Sequence, residues 1–226
     1  LRSGLYDWVL VEITQAVEYR PEAADEVPGQ MEMEATDPSF TLAHLEDRAS
    51  VMFWRRMAAD RLGKVDPLRK LAEPGYLAAL EGGLSPRPPR QYYGECAVGS
   101  VDTRRIVREA QEERAIMEIR WSGRQYQVDE KGITHTGENI VGRWIFVLMR
   151  KTGIKAKLEL AVSSAHCPAC GAPETDLTAD ACPFCQKVLN DGSFDWVLVE
   201  SLPANTPAAL QLLSAGSKAP RAAETA

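Results

Sequence analysis

Apolar residues recur at two periods along this chain, and the change of period divides it. Leu42, Leu45, Ala49, Met52, Phe53 and Met57 return every three or four positions, the spacing of one helix face. Asp37 can cap such a helix, Pro38 suits its first turn and Gly63 suits its end, so a long helix is predicted over residues 37–63. Trp54, Arg55 and Arg56 interrupt the stripe and either face outward or line a cleft. Shorter helices are predicted over 66–72 and 74–80, the second stopped by Gly82 and Gly83. The segment GLSPRPPR then reads as a loop, because Pro86, Pro88 and Pro89 forbid regular structure.

From Tyr92 onward the period falls to two. Residues 92–109 hold one or two strands. Over 114–121, Ala115, Met117, Ile119 and Trp121 alternate with Glu118 and Arg120, the signature of a half-buried strand. Ser122–Gly123 reads as a turn, with 125–128 returning as a further strand. The run RWIFVLMR over 143–150 is apolar on both faces, which suits a central strand. Residues 155–162 alternate again. Helices first and strands after give an α+β layout, with helices packed on one face of a largely antiparallel sheet. Ala, Ser, Pro and Gly dominate from residue 203, so 203–226 is expected as a flexible tail. Near the other end, six carboxylates (Glu18, Glu22, Asp25, Glu26, Glu32, Glu34) face one Arg20 among helix breakers, which reads as an acidic linker over 18–36.

Charge and composition narrow the function classes. The formal net charge is −6, which argues against nucleic acid as a main partner, since phosphate binding needs clustered Lys and Arg. The longest apolar run, 144–149, is far short of the ~20 residues that cross a bilayer. No signal peptide is visible, and the chain begins at Leu1 without an initiator Met, as expected of a processed or excised piece. Five cysteines, an odd number, fit a reducing compartment such as the cytoplasm. Attachment to the inner face of a membrane would then run through regions outside this chain.

Four of those cysteines carry the strongest chemical signal. CPACGAPETDLTADACPFC holds two Cys-x-x-Cys pairs, Cys167/Cys170 and Cys182/Cys185. Four thiolates at this spacing close a tetrahedron around Zn²⁺ with no position left for substrate. Gly171 follows the first pair, where a positive φ frees a backbone N–H for sulfur. Gln186 holds the matching place after the second pair and makes that knuckle less ideal. Two disulfides would need an oxidising compartment, and a redox dithiol needs one pair only. His166 adjoins the first pair as an alternative ligand or as a donor behind the cysteines. A staple of some 35 residues needs its metal, because so short a segment buries too little apolar surface alone.

A second clue is a repeat. GLYDWVLVE at residues 4–12 and GSFDWVLVE at 192–200 share six consecutive identical residues, 188 positions apart. Residues 1–17 are therefore expected to be the tail strand of a preceding zinc ribbon, in a tandem array with a period near 188. The domain reading is a tail strand at 1–17, the linker at 18–36, a main domain at 37–163, the zinc ribbon at 164–202 and the tail at 203–226.

The order of DPSF, DPLRKLAEPGYLAAL, alternating strands, RWIFVLMR, CPACGAP, CPFC and FDWVL resembles bacterial Tim forty-four-like domains, relatives of the mitochondrial inner-membrane import-motor anchor. The resemblance covers about residues 37–200, and Trp144, Phe146, CPACGAP and FDWVL carry it best. It implies a cone of curved antiparallel sheet wrapped by helices, similar to nuclear transport factor two. The import-motor member tethers a chaperone to a membrane; no basic amphipathic helix for that purpose is visible here, and the activity is not carried over.

Such a cone usually encloses a hollow, and Phe53, Trp54, Tyr76, Met117, Trp121 and Trp144 stand where they would line it or fill it as core. The three histidines offer little for catalysis: His135 sits in the turn-like KGITHTG, His44 on the first helix and His166 beside a ligand. Cys96 reads as a small buried hydrophobe. No phosphate loop and no nucleophile elbow appear. The expected function is a non-enzymatic interaction or scaffold module with a structural four-cysteine zinc site, meeting a protein partner or an apolar ligand in the cone groove, with self-association open. Alternatives are a cone-fold small-molecule binder or enzyme of the dehydratase or isomerase type, and a membrane-surface tether.

Overall fold

Strand β2 (Glu112–Asp129) decides which side of the sheet becomes the core. Its predicted apolar face is Ala115, Met117, Ile119 and Trp121, and all four are buried. The computed structural model describes residues 26–155, 166–167, 169–173 and 179–214. In it β2 lies between β1 (Arg90–Arg108) and β3 (Gly132–Lys151), and β4 (Val197–Pro203) pairs on the far side of β3, every pairing antiparallel. The α+β expectation therefore holds.

Helix α2 (Leu42–Leu62) covers the inner face with the stripe read from its sequence: Leu45, Ala49, Met52, Phe53 and Met57 are buried among Met117, Ile119, Trp121, Phe146 and Leu148. Burying a side chain such as Phe53 or Phe146 contributes roughly 2–3 kcal/mol. Gly63 ends α2 in the left-handed region, as the sequence predicts. The helix starts five residues later than predicted. Thr41 caps it by accepting the His44 N–H, while the Asp37 carboxylate is taken up by Ser39 and Arg150.

Several local expectations change for identifiable reasons. Residues 66–72 give only a 3-10 turn, Asp66–Leu68, after which Ala72 bridges to Leu198; α3 (Pro74–Glu81) forms as expected, with the Glu73 carboxylate capping it. Ser122–Gly123 is not a turn. β2 runs straight through it because long strands flank it on both sides. The glycine serves close approach instead: a Cβ at Gly123 would lie 3.0 Å from Cys96 Sγ. The turn falls later, where Asp129 Oδ1 accepts the N–H groups of Lys131 and Gly132. His135 accordingly lies on strand β3, opposite Tyr126.

Both ends of the described chain are more ordered than composition suggests. The acidic linker gives way to helix α1 (Gln30–Thr36), which buries Met33. At the other end α4 (Pro207–Ser214) forms where a flexible tail is expected. Thr206 Oγ1 accepts the Ala209 N–H at its start, and the helix packs on the outer face against Ile116, Ile145 and Ala204. The tail strand expected at 1–17, most of the strand expected at 155–162 and residues 215–226 lie outside the described residues. No helix among the described residues is long and apolar enough to cross a membrane.

One buried charged group ties these layers together. Arg150 is only 1% exposed; its Nη1 donates to Asp37 Oδ2 at 3.0 Å and its Nε to Glu113 Oε2 at 2.6 Å. Its guanidinium lies 4.8 Å from the centre of the Trp196 ring. Arg48 holds the same segment from the helix side, donating to the Trp196 carbonyl at 2.7 Å and pairing with Asp195 at 2.9 Å. The second copy of the DWVL repeat is thus locked at both of its first two residues. Its strand does not belong to the ribbon: Val197 and Leu198 are fully buried and extend the main sheet. Removing the ring in Trp196→Ala is expected to cost about 3–5 kcal/mol, read as a shift of the urea midpoint.

Candidate metal centre

Two short hairpin knuckles, offset by 15 residues, build the site. In the first, the Gly171 N–H donates to the Cys167 carbonyl and the Cys167 N–H to the Ala172 carbonyl, both at 2.8 Å. In the second, Gln186 N–H to Cys182 carbonyl and Cys182 N–H to Lys187 carbonyl repeat the pattern at 2.9 Å. An antiparallel bridge closes each, His166 with Pro173 and Ala181 with Val188. The correspondence extends to the backbone: Gly171 has φ 72° and Gln186 has φ 60°. The second knuckle therefore makes the same turn as the first in spite of its side chain. A left-handed conformation costs an L-residue about 1–2 kcal/mol. Gln186→Gly is expected to stabilise the ribbon by about 1 kcal/mol, and Gly171→Gln to weaken it similarly, both measurable by competition with a metal chelator.

The knuckles face each other. Cys167 Sγ lies 3.8 Å from Cys185 Sγ, and Cys170 Sγ lies 3.9 Å from Cys182 Sγ. All four sulfurs fall within 4.8 Å of one another. A tetrahedron of thiolates ~2.3 Å from a central ion has edges of ~3.8 Å, so the donor set fits a metal ion. A disulfide would need ~2.05 Å between sulfurs. The predicted ligands Cys167, Cys170, Cys182 and Cys185 are brought together; the exposed His166 stays in its bridge, outside this group.

The thiols do not share one environment. Burial pushes Cys167 up to about 12. Backbone N–H groups of Cys185 and Phe184 hold Cys182 down to about 7. The second knuckle thus holds the more acidic thiol, and a cation must displace the Cys167 proton to complete the set. Leu189 and Phe194 pack beside the sulfurs, and Lys187 Nζ sits 5.3 Å from the Phe194 ring centre.

The ribbon is joined to the sheet through the segment that follows it. The fully buried Asn190 donates through Nδ2 to the Arg69 carbonyl at 2.9 Å, and Arg69 also lies 3.7 Å from Asp180. Lys151 Nζ reaches Asp191 and Ser193 at 2.7 Å, and its N–H donates to the Gly192 carbonyl. Gly192 takes φ 74° against the end of β3, where a Cβ would stand 2.9 Å from Met149 Sδ. The metal site and the Arg150 cluster are therefore neighbours along one connected stretch, residues 189–196.

The proposed pocket lining packs largely on itself. Phe53 meets Trp54, Trp121 and Trp144 at ring separations of 5.4, 5.9 and 6.0 Å, and Trp121 lies 5.8 Å from Trp144. Met117 is fully buried; Trp54 remains 44% exposed. Arg56 lies over the Trp144 ring at 5.4 Å and pairs with Asp60, and the Tyr76 hydroxyl bonds to Ser201 at 2.7 Å. Cys96 is half-buried against the core, and burial pushes its thiol up. The sequence reading missed the Arg150 cluster. An arginine ending an apolar strand was its one signal, and that pattern is also what a solvent-facing strand end looks like.

No family model, no curated protein and no solved structure matches this chain. The likeness to Tim forty-four-like domains accordingly rests on the sequence motifs.

Proposed function

We propose that this chain is a non-enzymatic interaction or scaffold module stapled by structural zinc, of the Tim forty-four-like type and one unit of a tandem protein. The observation that carries this reading is the closed set of four sulfurs at tetrahedral separations, fastened to the sheet through residues 189–196. A set of four protein ligands staples a fold, whereas catalytic zinc sites keep a position for water. Tetrahedral sulfur suits zinc or iron. The repeat of DWVLVE at residues 7–12 supports a tandem parent, since the second copy is a strand built into a complete unit.

Elemental analysis of purified chain tests the metal: one zinc per chain is expected, and iron at that stoichiometry with a visible thiolate absorption would sink the zinc reading. The module reading is tested by recovering partners on immobilised chain, metal-loaded and chelated, with cross-linking to locate the contacts. Partners held only by the loaded form are expected. A second reading, an apolar ligand seated beside the aromatic layer, is favoured by Trp121 Nε1, a buried donor without a hydrogen-bond partner among the described residues. Quenching of tryptophan fluorescence by fatty acids, lost in Trp121→Phe, is its expected signature.

A further inference from the structure

Arg120 and Arg143 stand directly opposite each other on β2 and β3. Like charges placed in this way destabilise a sheet. The outer face nonetheless gathers more of them. Arg104 is the extra residue of a bulge in β1, between Thr103 opposite Met117 and Arg105 opposite Ile116. All three arginines turn toward one buried carboxylate, Glu118. Arg104 Nε donates to it at 2.8 Å, Arg143 Nε lies at 3.0 Å and Arg120 Nε at 3.8 Å. Held at that inner end, the side chains of Arg143 and Arg120 remain 51% and 55% exposed. Arg105 adds a fourth cation, donating to the Leu212 carbonyl of α4 at 3.4 Å. Two carboxylates, Glu118 and the Asp102 opposite it on β1, face these four guanidiniums, and Asp102 also accepts from Ser100 Oγ at 2.9 Å. Each guanidinium has five N–H donors, more than these partners use.

The layout of the patch selects among anions. The point on which the arginines converge already holds the Glu118 carboxylate, so a single phosphate cannot meet all three there. Their remaining donors are spread over three adjacent strands, about 10 Å across. A long polyanion such as nucleic acid would also run over Asp102 and over Glu95, which lies 3.4 Å from Arg124 on the same face. Carboxylates on alternate residues of an extended segment are about 7 Å apart, which lets them meet arginines on neighbouring strands. Arginine forks take carboxylates in bidentate pairs. The surroundings are mixed in character: α4 covers the neighbouring part of the face over Ile116 and Ile145, and the exposed Val141 stands two residues before Arg143 on the same face.

We propose that this face binds an extended acidic segment of a protein partner, with carboxylates two residues apart set against Arg120 and Arg143, Arg104 beside them and an apolar side chain on Val141. This names the partner class for the interaction-module reading and rests on that reading. It gives the opposed arginines a role that the fold alone does not: their mutual repulsion falls when carboxylates come between them. Glu118 is the positioning residue, since it fixes the Nε ends before a partner arrives and so lowers the ordering cost of binding. The proposal does not depend on which metal the cysteines hold.

The test uses the full metal-loaded chain and a fluorescein-labelled peptide with Glu at alternate positions, read by anisotropy in low salt. Arg120→Gln combined with Arg143→Gln is expected to weaken binding about tenfold, whereas Arg61→Gln with Arg87→Gln, which removes the same charge from exposed positions elsewhere, should change it less than about twofold. Arg104, the closest partner of Glu118, is left in place, and a cooperative urea transition shows that each variant is folded. The unaltered chain gives a second readout that needs no variant: the Nε–H resonances of Arg120 and Arg143 should move when peptide is added. Equal losses in the two double variants would overturn the proposal, as an effect of net charge alone. Unmoved arginine resonances, or tighter binding of a single-stranded RNA of equal charge or of anionic vesicles, would overturn it too. If the peptide fails to bind while immobilised chain still retains partners, this inference falls and the interaction-module reading stands; if both fail, both fall.

Discussion

Asp37→Ala is expected to destabilise the fold by about 3–5 kcal/mol, the cost of removing one of the two carboxylates that hold a buried arginine. Arg150 is almost wholly buried and divides its guanidinium between Asp37 and Glu113, so losing either carboxylate leaves part of a buried cation's N–H donors without an acceptor. Glu113→Ala should cost a similar amount, with Arg108 also losing a partner 3.5 Å away. The measurement is the urea midpoint at neutral pH, where the slope should stay unchanged. The companion variant separates charge from packing. Replacing Asp37, Glu113 and Arg150 together by Leu, Met and Met removes the charges as a set and should recover most of the loss, because apolar replacements of whole buried ion clusters are often neutral or stabilising. If Asp37→Ala costs less than about 1 kcal/mol, the cluster is not the fastening described above.

Removing the metal is expected to have the other large effect, confined to one part of the molecule. Metal binding contributes roughly 10–16 kcal/mol in small zinc units, and the described residues around the site offer in its place a small apolar cluster around Leu189. Chelation, or Cys182→Ser, should abolish amide protection in both knuckles while the buried run of β2 at 115–121 stays protected. Loss of protection throughout the sheet would show that the ribbon and the sheet fold as one unit. The pH dependence has a definite sign. Unfolded thiols titrate near ~8.5 and bind protons below it, whereas the metal-bound knuckles bind none. The unfolded state therefore holds more protons, and the stability of the loaded form falls as pH falls, by up to about 5 kcal/mol per pH unit for four thiols. The Cys167 thiol, pushed up to about 12 by burial, makes that displacement hardest in the first knuckle.

Local chemistry was readable wherever one residue or one spacing decides the outcome. The Cys-x-x-Cys pairs identify the four sulfurs that come together because two intervening residues leave few ways to aim both sulfurs of a pair. Alternation at 115–121 and the helical stripe of 42–57 identify the core faces because each period matches one backbone geometry. Gly63 marks a helix end through its own left-handed backbone. The tertiary structure alone decided the rest. Ser122–Gly123 makes a turn or a strand according to what lies on either side, and β1 and β3 both lie there. The last helix forms because Ile116 and Ile145, far away in sequence, offer it an apolar seat. Asp37 serves Arg150, 113 residues distant, instead of capping a helix next to it. Spacing determines what a residue can do with its near neighbours; which long-range partner claims a polar group or an apolar face is settled only when the chain is packed.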